Sequence, residues 1–136
     1  HLHVKAPWLI TQHVLGHMIK KQAGKIIFIT SIWGSTGASN EVIYSAVKGA
    51  QNSFVKALGK ELAPNGIRVN AVSPGFIETK MNDTIEDEAK KQIMTDIPAQ
   101  RAGLPEEVAH AVQFLLDDQS NYIVGEIIQV SGGWHS

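Results

Sequence analysis

Tyr44 and Lys48 are the residues of this 136-residue chain whose types and spacing best suit acid–base chemistry. They stand four apart in Tyr44-Ser45-Ala46-Val47-Lys48, inside a segment patterned as a helix, so both side chains project from one face. Two unit charges about 5 Å apart, at an effective dielectric near 20, interact by roughly 3 kcal/mol. That is enough to bring a phenol from ~10 down towards about 8, where it serves as a general acid or base. Alone, the pair says little. With ten Lys and two Tyr in the chain, the spacing arises by chance roughly 15% of the time, and an exposed pair on a helix surface is the plainer alternative.

The neighbourhood sharpens the reading. Ser31 closes the run Lys25-Ile26-Ile27-Phe28-Ile29-Thr30, 13 residues before Tyr44. Its hydroxyl would then lie at the carboxyl end of a strand, the edge where open α/β sheets bind ligands. Pro74-Gly75 closes the next expected strand in the same way, and Phe76-Ile77-Glu78-Thr79 continues from it. A serine or a Pro-Gly pair at a strand end is ordinarily only a turn. All three at one edge is a much rarer coincidence.

The elements that must position these groups alternate. Pro7 to Lys21 carries apolar residues at helical spacing, at Trp8, Leu9, Val14, Leu15, Met18 and Ile19, and Ala23-Gly24 ends it. The four apolar residues Ile26 to Ile29 predict a strand covered on both faces, as in a parallel sheet. Val47, Ala50, Phe54, Leu58 and Leu62 predict a long amphipathic helix over 41–63, stopped by Pro64-Asn65-Gly66. Ile67 to Val72 is a second strand, broken by Ser73-Pro74-Gly75, and Asp83 to Thr95 a short helix. Pro105, followed by Glu106 and Glu107, opens another helix, with Val108, Ala111, Val112 and Leu115 on its apolar face. Glu126 to Val130 is a last strand, ended by Ser131-Gly132-Gly133. This order predicts an α/β fold with crossovers in a parallel sheet, and residues 1–136 form one unit without repeats or linkers.

Composition narrows the classes. Apolar residues make up 43% and charged residues 18%, a folded rather than a disordered composition. Twelve Lys and Arg against 13 Asp and Glu leave no basic excess for nucleic acid, and no apolar run reaches the ~20 residues of a membrane span. With no Cys there is neither a disulfide framework nor a thiolate site. His13 and His17 have a zinc-like spacing, but no Glu between them and no third ligand, so no metal is expected. Trp8, Trp33 and Trp134 read as packing residues, and Glu86, Asp87 and Glu88 with Lys90 and Lys91 as a solvated helix face. The chain opens on His1-Leu2-His3 rather than Met, and is expected to be part of a longer protein.

This set of residues closely resembles the C-terminal half of the classical short-chain dehydrogenases/reductases. The resemblance is carried by Ser31, Tyr44-Ser-Ala-Val-Lys48, the stretch Gly66 to Gly75, Pro105-Glu106-Glu107-Val108-Ala109, Gly125 and Gly132-Gly133, and it covers essentially the whole chain. It is nearest the 3-oxoacyl-acyl-carrier-protein reductases. Ser31 to Gly34 and Glu41 to Tyr44 are also similar to a narrower branch, the elongation factor P 5-aminopentanone reductases. The resemblance implies part of a Rossmann-like doubly wound sheet whose glycine-loop half is missing, and an NAD(P)H-dependent ketone reductase that is inactive as this part alone. Tyr44 would be the proton donor, Ser31 would hold the carbonyl oxygen, and Lys48 would tune Tyr44 and bind the nicotinamide ribose. Pro74, Gly75, Ile77 and Thr79 would receive the nicotinamide end. NADP (as NADPH) is implied over NAD, and the ketone would ride on acyl carrier protein or elongation factor P. A cytoplasmic homodimer or homotetramer is implied, with no metal, nucleic acid or membrane. The acidic cluster falls where the family has a mobile substrate lid. His3 occupies the position of the family's relay Asn, and an imidazole titrating near ~6.5 can also hold a relay water. The competing class is a non-catalytic interaction module built on the same fold.

Overall fold

A computed structural model describes residues 2–30, 41–80 and 86–134, with backbone only at 2–4, 7 and 41–44. Its elements are α1 (Leu2–Lys21), β1 (Gly24–Ile29), α2 (Glu41–Leu62), β2 (Ile67–Pro74), α3 (Asp87–Asp96), α4 (Pro105–Leu116) and β3 (Ile127–Val130). The three strands form one sheet in the order β1-β2-β3, and both pairings are parallel. Register runs from Gly24 opposite Ile67 to Ile29 opposite Val72, then from Ala71 opposite Ile127 to Pro74 opposite Val130.

Strand alternation assigns each face its cover. Ile67, Val69 and Ala71 of β2 are fully buried against Val55, Leu58 and Leu62 of α2, with Leu15 and Met18 of α1 and Ile26 and Phe28 of β1 packed around them. Residues of the opposite parity face α4 and the chain that follows it. Lys25 donates to the Leu116 carbonyl and pairs with Asp118, while Arg68 donates to the Asn121 carbonyl. Asn70, also buried, donates to the Ile123 carbonyl at 3.2 Å and accepts from the Glu126 N–H at 2.9 Å, so one amide satisfies the backbone that leads into β3. Helices therefore cover both faces of a parallel sheet, the layering of a Rossmann-like fold.

Several boundaries differ from the sequence reading, for identifiable reasons. α1 begins at Leu2 rather than Pro7; Pro7 is the sixth residue of the helix, which forgoes one i→i−4 bond there without ending. β2 runs on through Ser73 and Pro74, because those residues lie in register with Gln129 and Val130 of β3. α3 starts at Asp87, and the expected start at 83 lies outside the described residues. β1 was expected to be enclosed on both faces. It is only half-buried, and Ile29 is 56% exposed, because β1 stands at the edge of the described sheet with a neighbour on one side.

Gly66 sits where α2 turns into β2. Its φ of 75° is left-handed, and a Cβ there would overlap the Gln22 carbonyl oxygen, so glycine alone fits this turn. Among the described residues, no helix is long and apolar enough to cross a membrane.

Candidate active site

The direction of α2 decides what lies at the carboxyl edge of the sheet. α2 ends at Leu62, and a short 3-10 turn and Gly66 return the chain into β2, so helix and strand run antiparallel. Phe54 anchors the helix: its ring meets that of Phe28 edge-on at 5.4 Å and that of Trp8 at 5.6 Å. Lys48 lies six residues earlier, about 9 Å further along the axis at 1.5 Å per residue. β1 ends one residue past Phe28, so Lys48 stands at or beyond the strand ends, and position 44 lies one helical turn further out. Lys48 is half-buried there. The side chain of Tyr44 lies outside the described residues, as do Ser31 and Trp33. Thr30, immediately before Ser31, is buried and donates its N–H to the Val72 carbonyl at 2.9 Å.

The second wall of this edge is the segment Pro74 to Thr79. Pro74 ends β2, and Gly75 donates its N–H to the Val130 carbonyl at 2.9 Å, extending the ladder by one bond. A Cβ on Gly75 would come within 2.9 Å of Ser131 Cα, so the two chains pass too closely for any side chain. Phe76 turns inward. It is 3% exposed, packs with Ile97, Ala102, Ile93 and Met94, and meets the Trp134 ring edge-on at 6.4 Å. Ile77 is half-buried and pairs with Gly103 in an isolated parallel bridge, leaving Thr79 exposed at the end of the segment. Of the candidate residues, Lys48, Pro74, Gly75, Ile77 and Thr79 are thus placed along one edge of the sheet.

A short-chain dehydrogenase/reductase family model, described as enoyl-(acyl carrier protein) reductase, matches residues 1–135. The chain belongs to the short-chain dehydrogenase/reductase family. It is 51% identical over 134 residues to a Bacillus subtilis protein called uncharacterized oxidoreductase YmfI, covering 98% of this chain and 55% of that protein. It is 47% identical over 126 residues to the Aquifex aeolicus 3-oxoacyl-[acyl-carrier-protein] reductase FabG, covering 93% of this chain and 51% of the relative. The Haemophilus influenzae FabG is 43% identical over 124 residues, 91% of this chain and 51% of the relative. The chain spans about half the length of these curated relatives.

Sequence reasoning missed two parts of this short-chain dehydrogenase/reductase edge. One is the Phe76 cluster, signalled only by a large aromatic directly after Pro-Gly. The other is Arg101, whose guanidinium forks onto Glu107 with Nη1 to Oε1 at 2.8 Å and Nη2 to Oε2 at 2.9 Å. Glu107 Oε1 also accepts the Leu104 N–H at 2.9 Å, the reach-back of a capping box at the start of α4. The expected exposed face of α3 is present at Glu86, Asp87, Glu88 and Lys91, and Trp134 packs as expected. His13 and His17 are both exposed on α1. Among the described residues, no three His, Asp or Glu side chains are grouped to hold a metal ion.

The fork also carries a pH signature. Side-chain hydrogen bonds from Arg101, and then the Leu104 N–H, hold the Glu107 carboxyl down to about 2, against an ordinary 4.5. A carboxyl depressed in the folded state stabilises the fold fully above its unfolded value and loses that contribution as pH falls. Comparing thermal midpoints of the parent and Glu107→Gln is therefore expected to show the largest difference above about pH 4.5, shrinking as pH falls towards 2. A difference that grows on acidification would contradict this assignment.

Proposed function

We propose that this chain is the catalytic and substrate-side part of an NADPH-dependent ketone reductase. The observation that supports the reading is the antiparallel course of α2, which carries the backbone of residues 44–48 towards the end of the sheet where β1 finishes and β2 runs into Pro74–Thr79. In this reading Ser31 hydrogen-bonds the carbonyl oxygen of the substrate and fixes its position. Tyr44 gives its phenolic proton to that oxygen as negative charge develops there. The Lys48 ammonium, one helical turn away, favours the phenolate left behind and can donate to ribose hydroxyls.

The residues present fit the nicotinamide end of a dinucleotide. Lys48, half-buried, and Thr79, exposed, offer an ammonium and a hydroxyl at the same end of the sheet as a backbone turn braced by Gly75, Phe76 and Gly103. The bound cofactor supplies the hydride; the protein supplies orientation and the proton. The sequence has no T-G-x-x-x-G-x-G segment, so no residue here is assigned to the pyrophosphate. The family resemblance favours NADPH over NADH, and a cytoplasmic homodimer or homotetramer.

For the substrate, the relatives named as 3-oxoacyl-[acyl-carrier-protein] reductases support a ketone carried on a protein. NADPH oxidation by the full-length protein tests this against three substrates: 3-oxoacyl-acyl-carrier protein, elongation factor P bearing the 5-aminopentanone group, and an enoyl thioester. Reduction of either ketone is expected. Turnover of the enoyl thioester alone would overturn the ketone reading in favour of an enoyl reductase, and turnover of none of the three would favour the non-catalytic interaction module.

A further inference from the structure

Gly103 is hydrogen-bonded to the turn, while its chain neighbours are tied to α4. Its N–H donates to the Phe76 carbonyl at 2.9 Å, and its carbonyl accepts the Glu78 N–H at 2.8 Å. On either side of it, the chain is fastened to the first turn of α4. Before it, Arg101 grips Glu107 with both terminal nitrogens and also donates Nη1 to the Ala102 carbonyl at 3.0 Å. After it, the Leu104 N–H is held by Glu107 Oε1 at 2.9 Å. Ala102 is buried in the Phe76 cluster, and Gln100, with φ of 59°, turns the chain into this path. A single carboxylate thus ties both flanks of the residue that holds the backbone of 76–78.

We propose that Arg101 and Glu107 are positioning residues for dinucleotide binding: through Gly103 they set the backbone of residues 76–78, from which Ile77 and Thr79 present the turn to the nicotinamide end. This inference rests on the reductase reading above. The fork lies far in sequence from Ser31, Tyr44 and Lys48 and acts through backbone placement alone. A planar guanidinium suits the role, because two parallel bonds fix orientation where an ammonium would fix only distance.

The test uses the full-length protein, NADPH as probe, and two variants, Glu107→Gln and Arg101→Lys, the second keeping the charge while losing the fork. Two quantities are read: amide hydrogen exchange at Glu78 and Gly103 relative to Val69 in β2, and the NADPH dissociation constant by fluorescence. In both variants exchange at Glu78 and Gly103 is expected to accelerate at least tenfold, and the dissociation constant to rise at least fivefold. With saturating NADPH, kcat is expected to stay within twofold of the parent. Unchanged exchange at those two amides overturns the clamp. Faster exchange with an unchanged dissociation constant shows a purely structural fork and overturns the positioning role. A parent protein that binds neither NADPH nor NADH overturns the reductase reading itself, and this inference with it; binding by the parent separates the two failures.

Discussion

Tyr44→Phe in the full-length protein is expected to lower kcat for ketone reduction by about 10²–10⁴-fold, the usual contribution of a positioned general acid. Phenylalanine keeps the ring and removes only the oxygen that would carry the proton. The thermal midpoint and the NADPH dissociation constant should therefore change little. Lys48→Met should mimic part of the loss and should also weaken NADPH, because in this scheme the ammonium serves both the phenol and the ribose. Steady-state rates beside equilibrium binding separate the two effects. A Tyr44→Phe protein that keeps more than a tenth of the parent kcat contradicts the assignment of Tyr44 as proton donor.

Phe76→Ala is expected to give the largest loss of stability of any single change at the sheet edge. The ring is 3% exposed and fills the space between Ile97, Ala102 and Trp134, so its removal leaves a cavity that backbone pinned at Gly75 and Gly103 is poorly able to close. Truncations of this kind cost about 3–5 kcal/mol. Denaturant unfolding of the full-length protein measures it. A loss under about 1 kcal/mol would mean that the cluster is not packed as described. NADPH affinity should fall in parallel, since the same ring holds the start of the turn in place.

What could be read from the chain before its fold was known divides along physical lines. Strand β1 was legible because consecutive β-branched and aromatic residues have few other stable uses, and β2 from Ile67, Val69 and Val72 ahead of the Ser73-Pro74-Gly75 break. The start of α4 was legible from local chemistry, Pro105 at the first helical position and two acids behind it. Pro7 and Pro74 misled: each was read as a boundary and each lies inside its element, Pro7 six residues into α1, where the helix forgoes one bond, and Pro74 as the last residue of β2. The candidate site followed from motif spacing at Ser31, Tyr44 and Lys48 and from the family resemblance. The parts that brace its edge did not, because they are tertiary. Phe76 and Trp134 meet only once β2 and β3 are adjacent, and Arg101 finds Glu107 only once the chain passes through the extended Leu104 into α4. The sequence signal for the second was the spacing Leu104-x-x-Glu107, half of a capping box with a cation just upstream.

The parallel pairings also determine the order in which this chain can fold. Gly24 meets Ile67 and Ala71 meets Ile127, so neither ladder can begin as a local hairpin. Each must wait until a helical crossover has closed a long loop, and that entropy is lost before any strand contact offsets it. Collapse of α2 onto the start of β2, neighbours in sequence across Gly66, is the cheapest first encounter available. β1 can then add to a preformed surface from one side and β3 from the other. The carboxyl edge, where both pairings finish, is therefore complete only when both crossovers have closed, so the place where a ligand would sit depends on contacts distant in sequence.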